Sequence, residues 1–406
     1  MQDFKYKIFY FICLIIAPTF CDHSHRRGAG YGKDKQGSSM AKIVAAETLQ
    51  VDLKPKVKRT DAVQSFECQE TPMVKIRDAD GAEGIGYSYT IGTGGSSVMK
   101  LLDDHLVPSL IGRDADNIEM IWRDLFYRVH ATTVGALTSI ALAAIDTALW
   151  DLRAKRAKLP LHKIAGGAKD RIKLYYTEGG WLHIDDEQLV AEAVEAKARG
   201  FGGAKIKVGR PHVSEDARRL RAVRTAVGDG WDIMTDANQG FTVDEAIRRA
   251  RHFEEFDVAW FEEPIHADDI AAHKRLCDST SLPIAVGESM YSISQFKDYL
   301  QGGACSIVQV DVGRIGGVTP WLKVAHMAEA FNVPVCPHFL MELHLPLCCA
   351  VPNSRWLEFI PQLDLVTNTG MKVENGEAVA SFEPGLGIDW DWSALNKFVV
   401  HRQQHH

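Results

Sequence analysis

The spacing of hydrophobic positions divides the chain into two parts with different patterns. After Met40 the apolar residues first follow the short period of β-strands and then the longer period of helices. Three strand-like runs come first, at 42–53, 73–78 and 84–89. Three runs with helical spacing follow, at 97–106, 117–129 and 139–156. This pattern predicts an α+β domain that ends near Gly167.

From Ile172 onward, strand-like and helix-like runs alternate regularly. The strand-like runs lie at 173–176, 204–208, 233–236, 259–262, 284–287, 307–311, 333–337 and 357–360. Amphipathic helical runs lie between most of them, at 186–199, 214–227, 243–253, 267–277 and 317–331. Such repetition predicts a (β/α)-barrel, a modified TIM barrel in which the last helix is unclear because prolines crowd that region. An open doubly wound sheet is the alternative, but the glycine-rich stretches at 92–97 and 313–317 do not fit its dinucleotide-binding fingerprint.

Four segments follow from these patterns. We expect a leader at 1–39, an α+β capping domain at 40–167, the barrel at 168–363, and a C-terminal segment at 364–406 that returns to the capping domain.

The leader does not match the rest of the chain. Its apolar run from Ile8 to Phe20 follows two lysines and is typical of a secretory signal, although no clear small-residue cleavage site follows. The alternative is a mis-assigned start or a fused leader, with the natural enzyme beginning at Met40. We therefore expect a cytoplasmic enzyme core, and the leader leaves secretion open.

The composition excludes some classes of function. The 406 residues carry a net charge of −7, which argues against a nucleic-acid partner. The apolar run in the leader is too short to span a membrane comfortably, and we expect no membrane association for the core. The eight cysteines form no C-x-x-C pair, so we expect reduced thiols and neither a zinc site nor a disulfide framework. A small anionic substrate remains compatible with the net charge, because a metal ion can reverse the local field.

Three successive barrel strands end in acidic residues. Asp236, Glu262 and Glu288 stand one strand–helix unit apart, so their side chains should lie at one height on the carboxyl-terminal face of the barrel. A single carboxylate at a strand end is usually a helix cap or a surface charge. Three inward carboxylates would repel one another strongly without a cation. Oxygen ligands of this kind predict one Mg²⁺ per subunit.

Two bases flank the predicted metal site in the sequence. Lys205 and Lys207 alternate with apolar residues on the second barrel strand, so both should point inward, and their mutual repulsion and burial should lower the pKa of Lys207. His338 follows the seventh strand, and Asp311 at the end of the sixth can hold its ring. The alternatives are lysines that reach out to solvent and a histidine with only a structural role.

Two further residues point to the same face of the barrel. Asn238 shares the face of Asp236 and can hydrogen-bond the ligand or the substrate. Glu358 lies in the eighth strand and can hydrogen-bond the carboxylate of a substrate.

Together these motifs resemble the enolase superfamily and, within it, the mandelate racemase group. They are K-x-K at 205–207, D-x-N at 236–238, E-E-P at 262–264, G-E at 287–288, D-x-x-R-x-G-G at 311–317 and the histidine at 338. The resemblance covers residue 40 to the end of the chain. It implies three Mg²⁺ ligands, Asp236, Glu262 and Glu288.

The resemblance also assigns roles to the other residues. It implies that Lys207 is the base on one face of the substrate and that His338, paired with Asp311, is the base on the other. Glu358 matches the position that stabilises an enediolate as a hydrogen-bond donor.

Two segments and the C-terminal tail are similar to those of sugar-acid enzymes. The stretches at 86–95 and 337–344 resemble both galactarate/talarate dehydratases and the cycloisomerase that acts on 3,6-anhydro-L-galactonate, and the tail at 383–392 closely resembles the cycloisomerase. In this family the N-terminal domain caps the barrel and sets specificity. The resemblance therefore implies that segment 57–66 and the loop at 87–95, which includes Tyr89, touch the substrate.

Three functions compete at this stage. The first is dehydration of a hexonate or aldarate after removal of its α-proton, through an enediolate. The second keeps that half-reaction but ends in racemisation, epimerisation or cycloisomerisation. The third is a catalytically silent binding barrel, which would lack a base or a metal ligand, and none is missing here. For either enzyme we expect a small carboxylate substrate and a homo-oligomer.

Overall fold

The structure, a computed structural model, describes residues 41–406 except Thr133 and Thr369. The predicted leader at 1–39 lies outside the described residues. Among the helices that are described, none is both long enough and apolar enough to cross a lipid bilayer. The six cysteines in this part of the chain are free thiols, as expected.

The N-terminal part is built on an antiparallel sheet. Its strands are β1 (Ile43–Leu53), β2 (Arg59–Thr60), β3 (Ser65–Phe66), β4 (Gln69–Asp78), β5 (Glu83–Tyr87) and β6 (Thr90–Ile91). β1 pairs with β4, β4 pairs with both β5 and β6, and β2 pairs with β3 in a separate hairpin. The outer edge of β1 pairs with the last strand of the chain.

Helices cover one face of this sheet. They are α1 (Gly95–Leu101), which continues through a π-helical turn (Leu102–Leu106) into a 3₁₀ turn (Val107–Leu110), then α2 (Ile118–Arg128), a 3₁₀ turn (His130–Thr132), α3 (Ala136–Arg156) and α4 (Leu161–Ile164). The long helix α3 lies directly on β5, and a Cβ atom on Gly86 would stand 2.2 Å from the backbone nitrogen of Ala148. Glycine is therefore required at this position because the helix and the strand approach so closely.

The second part is a closed parallel barrel. Its strands are β7 (Arg171–Tyr176), β8 (Gly203–Lys207), β9 (Asp232–Asp236), β10 (Trp260–Glu262), β11 (Ile284–Val286), β12 (Ile307–Val308) and β13 (Trp356–Phe359). β13 pairs in parallel with β7, the first strand of the barrel. The strand predicted at 333–337 is reduced to bridges from Val335 to Val308 and Ser354, which complete the circle between β12 and β13.

Helices surround the barrel. They are α5 (Asp186–Ala198), α6 (Val213–Val227), α7 (Val243–Phe253) with a 3₁₀ turn (Glu254–Phe256), α8 (Ile270–Cys277), α9 (Ile293–Gly302), α10 (Val312–Ile315), α11 (Val318–Ala330) and α12 (Met341–Ala350). The helix that the sequence left unclear is α12, which contains Pro346. The prediction of a (β/α)-barrel with an N-terminal α+β domain is confirmed.

The last residues return to both parts of the molecule. They form β14 (Val373–Glu374), β15 (Glu377–Val379), the short helix α13 (Trp392–Leu395) and β16 (Val399–His405). β15 pairs with the start of β7, and β16 pairs antiparallel with β1 of the N-terminal sheet. The exact domain boundaries at 167 and 363 stay predictions.

A carboxyl group in the first turn of α12 should make stability depend on pH. Burial raises the pKa of Glu342 from 4.5 to about 7, and its Oε2 atom has no hydrogen-bond partner among the described residues. Because the pKa is higher in the folded state, the folded protein holds an extra proton between these values and loses stability as pH rises through them. Glu342→Gln should therefore raise the free energy of unfolding at pH 8 by about 1–3 kcal/mol and leave it nearly unchanged at pH 5.

Thermal melts of both proteins at the two pH values test this prediction. Glu329→Gln is the control, because that carboxylate is exposed on α11. A gain of equal size at pH 5 and pH 8 would contradict the prediction, since it would show that ionisation is not the cause.

Candidate active site

Three buried carboxylates meet at the carboxyl-terminal face of the barrel. Asp236, Glu262 and Glu288 each offer one oxygen atom, and these oxygen atoms all lie within 4.8 Å of one another. They form the one such group of metal-ligand side chains found among residues 41–406 as described. The sequence therefore predicted correctly that these three residues converge.

Strand register explains why they meet. In the parallel pairing, Lys207 stands opposite Asp236, and Asp236 stands opposite Glu262. Residues paired in this way lie at the same height, and their side chains point to the same side of the sheet. Glu288 reaches the site from the turn that follows β11.

The chemistry of the three carboxylates fits a hard divalent cation. Burial, reinforced by the negative charge of Asp236, raises the pKa of Glu262. The Oε2 atom of Glu288 is buried and accepts no hydrogen bond from the part of the chain that is described. Oxygen-only donors that repel one another and leave an acceptor unused match the ligand preference of Mg²⁺.

Both lysines of β8 point inward and are buried, but they are paired with carboxylates. Lys207 Nζ lies 2.5 Å from Asp236 Oδ2 and 2.9 Å from Asn238 Oδ1. Lys205 Nζ lies 2.9 Å from Glu262 Oε1 and 2.9 Å from Glu358 Oε1. These contacts place Asn238 beside the base, as its position after Asp236 suggested.

The expected lowering of the Lys207 pKa is wrong for this arrangement. Burial lowers the pKa of Lys207 and is the largest single effect, but the attraction of the surrounding carboxylates together, chiefly Asp236, outweighs burial and the repulsion from Lys205, so the pKa is raised. The sequence argument considered the two ammonium groups and omitted the carboxylates that face them.

His338 is held by Asp311. The ring atom Nδ1 lies 2.9 Å from Asp311 Oδ2, while Nε2 lies 3.1 Å from Glu288 Oε2. Burial raises the pKa of Asp311, but the hydrogen bond from His338 and the positive charges nearby together outweigh burial and bring the pKa to about 2. The geometry thus brings together the histidine and the aspartate that the sequence paired, next to the acidic cluster.

Tyr89 lies beside the site residue Asp311, and the predicted contact of Tyr89 with the substrate stays a prediction. Its side chain is 1% exposed, and its hydroxyl group donates to Asp311 Oδ2 at 2.7 Å. The loop from the N-terminal sheet therefore reaches the site through Asp311.

Glu358 acts as an acceptor in this structure. Its oxygens accept from Thr177 Oγ1 at 2.8 Å, from the backbone N–H of Phe339 at 2.7 Å, and from Lys205. Burial raises the pKa of Glu358, but the charges of Lys205 and His338 and the hydrogen bonds to Glu358 together outweigh burial, so the pKa is lowered. A role as hydrogen-bond donor to an enediolate needs a proton that this arrangement disfavours, and that role stays a prediction.

The hairpin of β2 and β3 lies against loops at the mouth of the barrel. Thr60 Oγ1 lies 2.7 Å from His183 Nδ1, and Arg59 donates to the carbonyl of Pro361 at 3.0 Å. A Cβ atom on Gly209, after β8, would stand 2.8 Å from the Cβ of Ala62. These contacts place segment 57–66 next to the loops at the mouth of the barrel. Its contact with the substrate stays a prediction.

Sequence reasoning missed several partners of the site residues. Arg314 Nη1 donates to the backbone carbonyl of Glu288 at 3.0 Å, although the arginine stood within a motif already noted. Trp260 Nε1 donates to Glu262 Oε2 at 2.9 Å. Glu263 accepts hydrogen bonds from the backbone N–H and the hydroxyl group of Ser289. Of these partners, only Trp260 could have been found from the sequence. It stands two residues before Glu262, so strand alternation places both side chains on the same face.

Two family models match the chain. The N-terminal domain of the mandelate racemase / muconate lactonizing enzyme family matches residues 45–166, and the enolase C-terminal domain-like model matches residues 188–394.

Characterised relatives match over most of their length. The chain is 38% identical over 316 residues to L-talarate/galactarate dehydratase of Salmonella typhimurium, covering 78% of this chain and 79% of that protein. It is 37% identical over 328 residues to 3,6-anhydro-alpha-L-galactonate cycloisomerase of Streptomyces coelicolor, covering 80% of this chain and 91% of that protein.

A solved structure shows the same fold. The crystal structure of the Salmonella dehydratase liganded with Mg and L-lyxarohydroxamate superimposes with a TM-score of 0.88 and 33% sequence identity. The match covers 93% of this chain and 97% of that one.

Proposed function

The chain belongs to the mandelate racemase / muconate lactonizing enzyme family of the enolase superfamily, and from this membership and the site geometry we propose that it dehydrates a sugar acid with the help of Mg²⁺. The observation that carries the proposal is the buried cluster of Asp236, Glu262 and Glu288 with a lysine and a histidine beside it. The substrate would be a small carboxylate, a hexonate or an aldarate.

We assign the metal site to the acidic cluster. Asp236, Glu262 and Glu288 would hold one Mg²⁺. When bound, this ion supplies a Lewis acid that neutralises the charge developing on the substrate carboxylate as the α-proton leaves.

The two bases would act on opposite faces of the α-carbon. Lys207 or His338 removes the α-proton, and the enediolate of the substrate forms. His338 then donates a proton to the β-hydroxyl group, which leaves as water. Asp311 holds the imidazole, and Lys205 and Glu358 complete the buried charge network around the substrate carboxylate.

The named relatives support dehydration. L-talarate/galactarate dehydratase and arabinonate dehydratase are both among them, the second 34% identical over 343 residues. A catalytically silent barrel is disfavoured, because every expected ligand and both bases are present and buried together.

Cycloisomerisation is the second candidate. It is favoured by the 3,6-anhydro-alpha-L-galactonate cycloisomerase, which matches over 91% of its own length. The first half-reaction would be the same, but the enediolate would eliminate a ring oxygen in place of water. If the proton returned instead to the opposite face, the outcome would be racemisation or epimerisation.

Incubation of the purified protein with a library of hexonates and aldarates plus Mg²⁺ tests the proposal. We expect a 2-keto-3-deoxy acid from at least one substrate, because loss of the α-proton and the β-hydroxyl gives an enol that becomes a ketone. The products are identified by NMR and mass spectrometry, with a sample treated with EDTA as the control.

The same experiment in deuterated water separates the alternatives. Incorporation of deuterium at the α-carbon without loss of water would favour racemisation or epimerisation. Ring opening of an anhydro sugar acid would favour cycloisomerisation. If no acid in the library gave a new product and none showed exchange of its α-proton, the proposed function would be refuted.

A further inference from the structure

We propose that Tyr89 is a positioning residue that fixes the imidazole of His338 through Asp311. The proposal rests on the proposed function, in which His338 serves one face of the substrate. It adds that this half of the chemistry depends on a hydroxyl group supplied by the N-terminal sheet, since Tyr89 stands between β5 and β6.

Among the described residues, the Tyr89 hydroxyl group donates a hydrogen bond to one acceptor, Asp311 Oδ2. Arg314 Nε donates to the Tyr89 oxygen at 2.9 Å, and a guanidinium group has no acceptor to offer in return. The hydroxyl hydrogen must therefore point elsewhere, and Asp311 Oδ2 lies 2.7 Å away. Arg314 thus orients Tyr89 as a donor to the aspartate.

Asp311 is held on both carboxylate oxygens. Oδ1 accepts the backbone N–H of Gly313 at 2.7 Å and of Arg314 at 3.3 Å. Oδ2 accepts from Tyr89 and faces His338 Nδ1 at 2.9 Å. Without the tyrosine hydroxyl, Oδ2 would keep only the imidazole as a partner, and nothing would fix its position against the ring from the other side.

The direction of these bonds also fixes the tautomer of His338. A carboxylate accepts from two donors at Oδ2, so Nδ1 of the imidazole carries a proton. The second nitrogen, Nε2, is then the atom that exchanges a proton at the site, and it faces the acidic cluster 3.1 Å from Glu288 Oε2. Tyr89 therefore acts on the reacting atom through two hydrogen bonds.

Aromatic packing holds the tyrosine ring independently of its hydroxyl. The ring of Tyr89 lies 4.5 Å from that of Phe339, and Phe339 stacks on His338 with centroids 5.4 Å apart. Tyr89→Phe should therefore remove the hydroxyl group and leave the ring in place.

Tyr87 offers a matched control. It stands two residues earlier, is 0% exposed, and its hydroxyl group has no hydrogen-bond partner among the described residues. Tyr87→Phe removes the same atom from an equally buried ring whose hydroxyl group makes no hydrogen bond to Asp311.

The first readout is the NMR signal of the His338 Nδ1 proton in the full-length protein, recorded without and with Mg²⁺. The signal is assigned by its loss in His338→Asn. We expect Tyr89→Phe to shift the signal or broaden it away, because the acceptor Asp311 is no longer fixed, while Tyr87→Phe leaves it in place. An unmoved signal in Tyr89→Phe would overturn the proposal.

The second readout compares the two faces of the substrate. With a pair of acids epimeric at the α-carbon, α-proton exchange is measured in deuterated water. For the epimer whose α-proton His338 removes, we expect Tyr89→Phe to slow exchange about tenfold or more and to change KM less than about twofold. For the epimer whose α-proton Lys207 removes, we expect the exchange rate to stay unchanged.

The outcomes separate the two proposals. Equal losses for both epimers would overturn the role of Tyr89, because they would indicate a general structural defect, and so would no loss for either. If the wild-type protein formed no product and exchanged no α-proton, the proposed function would fail, while the NMR signal would still decide whether Tyr89 holds Asp311 and His338.

Discussion

Replacement of Lys207 by alanine is expected to lower kcat at least about a thousandfold and to leave the fold intact. The ammonium group is buried between Asp236 and Asn238 at the end of β8, where no other lysine or histidine takes its place on that strand end. General acid–base catalysis raises the reaction rate about 10²- to 10⁴-fold. Without the base, the first step is also blocked for any substrate whose α-proton points to the Lys207 side. The measurement is kcat on the best substrate of the acid library.

Controls separate loss of the base from loss of the fold. Lys207→Met keeps the length of the side chain and fills the same space, so it replaces the alanine variant if that one melts early. Lys323→Met is the matched control, because Lys323 pairs with Glu119 on the surface. Retention of more than about a tenth of the wild-type kcat in both Lys207 variants would show that the base has been assigned to the wrong residue.

The sequence predicted the barrel well because its signals are local and repeated. Each strand–helix unit carries a short apolar run and an amphipathic helix, and closure of the circle follows from the number of units. The seventh strand is the exception, because its run at 333–337 makes only the bridges of Val335. The apolar residues at 333–337 predicted correctly that this segment passes through the core. They could not predict how many backbone hydrogen bonds the segment makes with its neighbours.

The helix α12 shows a second limit. Three prolines in this region made a helix difficult to predict, yet α12 spans Met341–Ala350 with Pro346 inside it. Proline removes one backbone hydrogen bond, and packing can compensate for that loss. α12 is buried along most of its length. Tertiary burial therefore outweighed the local preference, and the sequence alone does not reveal burial of this kind.

The acidic cluster was predictable because strand register is simple, whereas its partners were not. One strand–helix unit between carboxylates places them at one height whatever the details of packing. Which cation or hydroxyl faces each carboxylate depends on contacts between distant segments, such as Tyr89 on Asp311 across the two parts of the molecule. The error about the Lys207 pKa has the same origin, since strand alternation shows Lys205 but not the balance of charge around it.

Glu288→Gln is expected to remove most of the response of this protein to magnesium. The substitution keeps the shape of the side chain and takes away one of the three charges that would hold the ion. A ligand that binds only the folded state stabilises it by about 2.7 kcal/mol at a hundred times its Kd. We therefore expect Mg²⁺ to raise the Tm of the wild-type protein clearly and that of the variant very little, with kcat lowered at least about a thousandfold.

Glu342→Gln makes this test specific, because it applies the same substitution to another carboxyl group whose Oε2 atom is buried and has no hydrogen-bond partner. Glu342 lies on α12 and is not part of the acidic cluster, so its variant should keep the full rise in Tm with Mg²⁺. Calorimetric titration of both variants with Mg²⁺ gives the affinities directly, and we expect Glu288→Gln to weaken binding at least about tenfold. If Glu288→Gln bound Mg²⁺ as tightly as the wild-type protein, the ion would have to lie elsewhere, and the assignment of the three ligands would fail even if the chain proved to be a dehydratase.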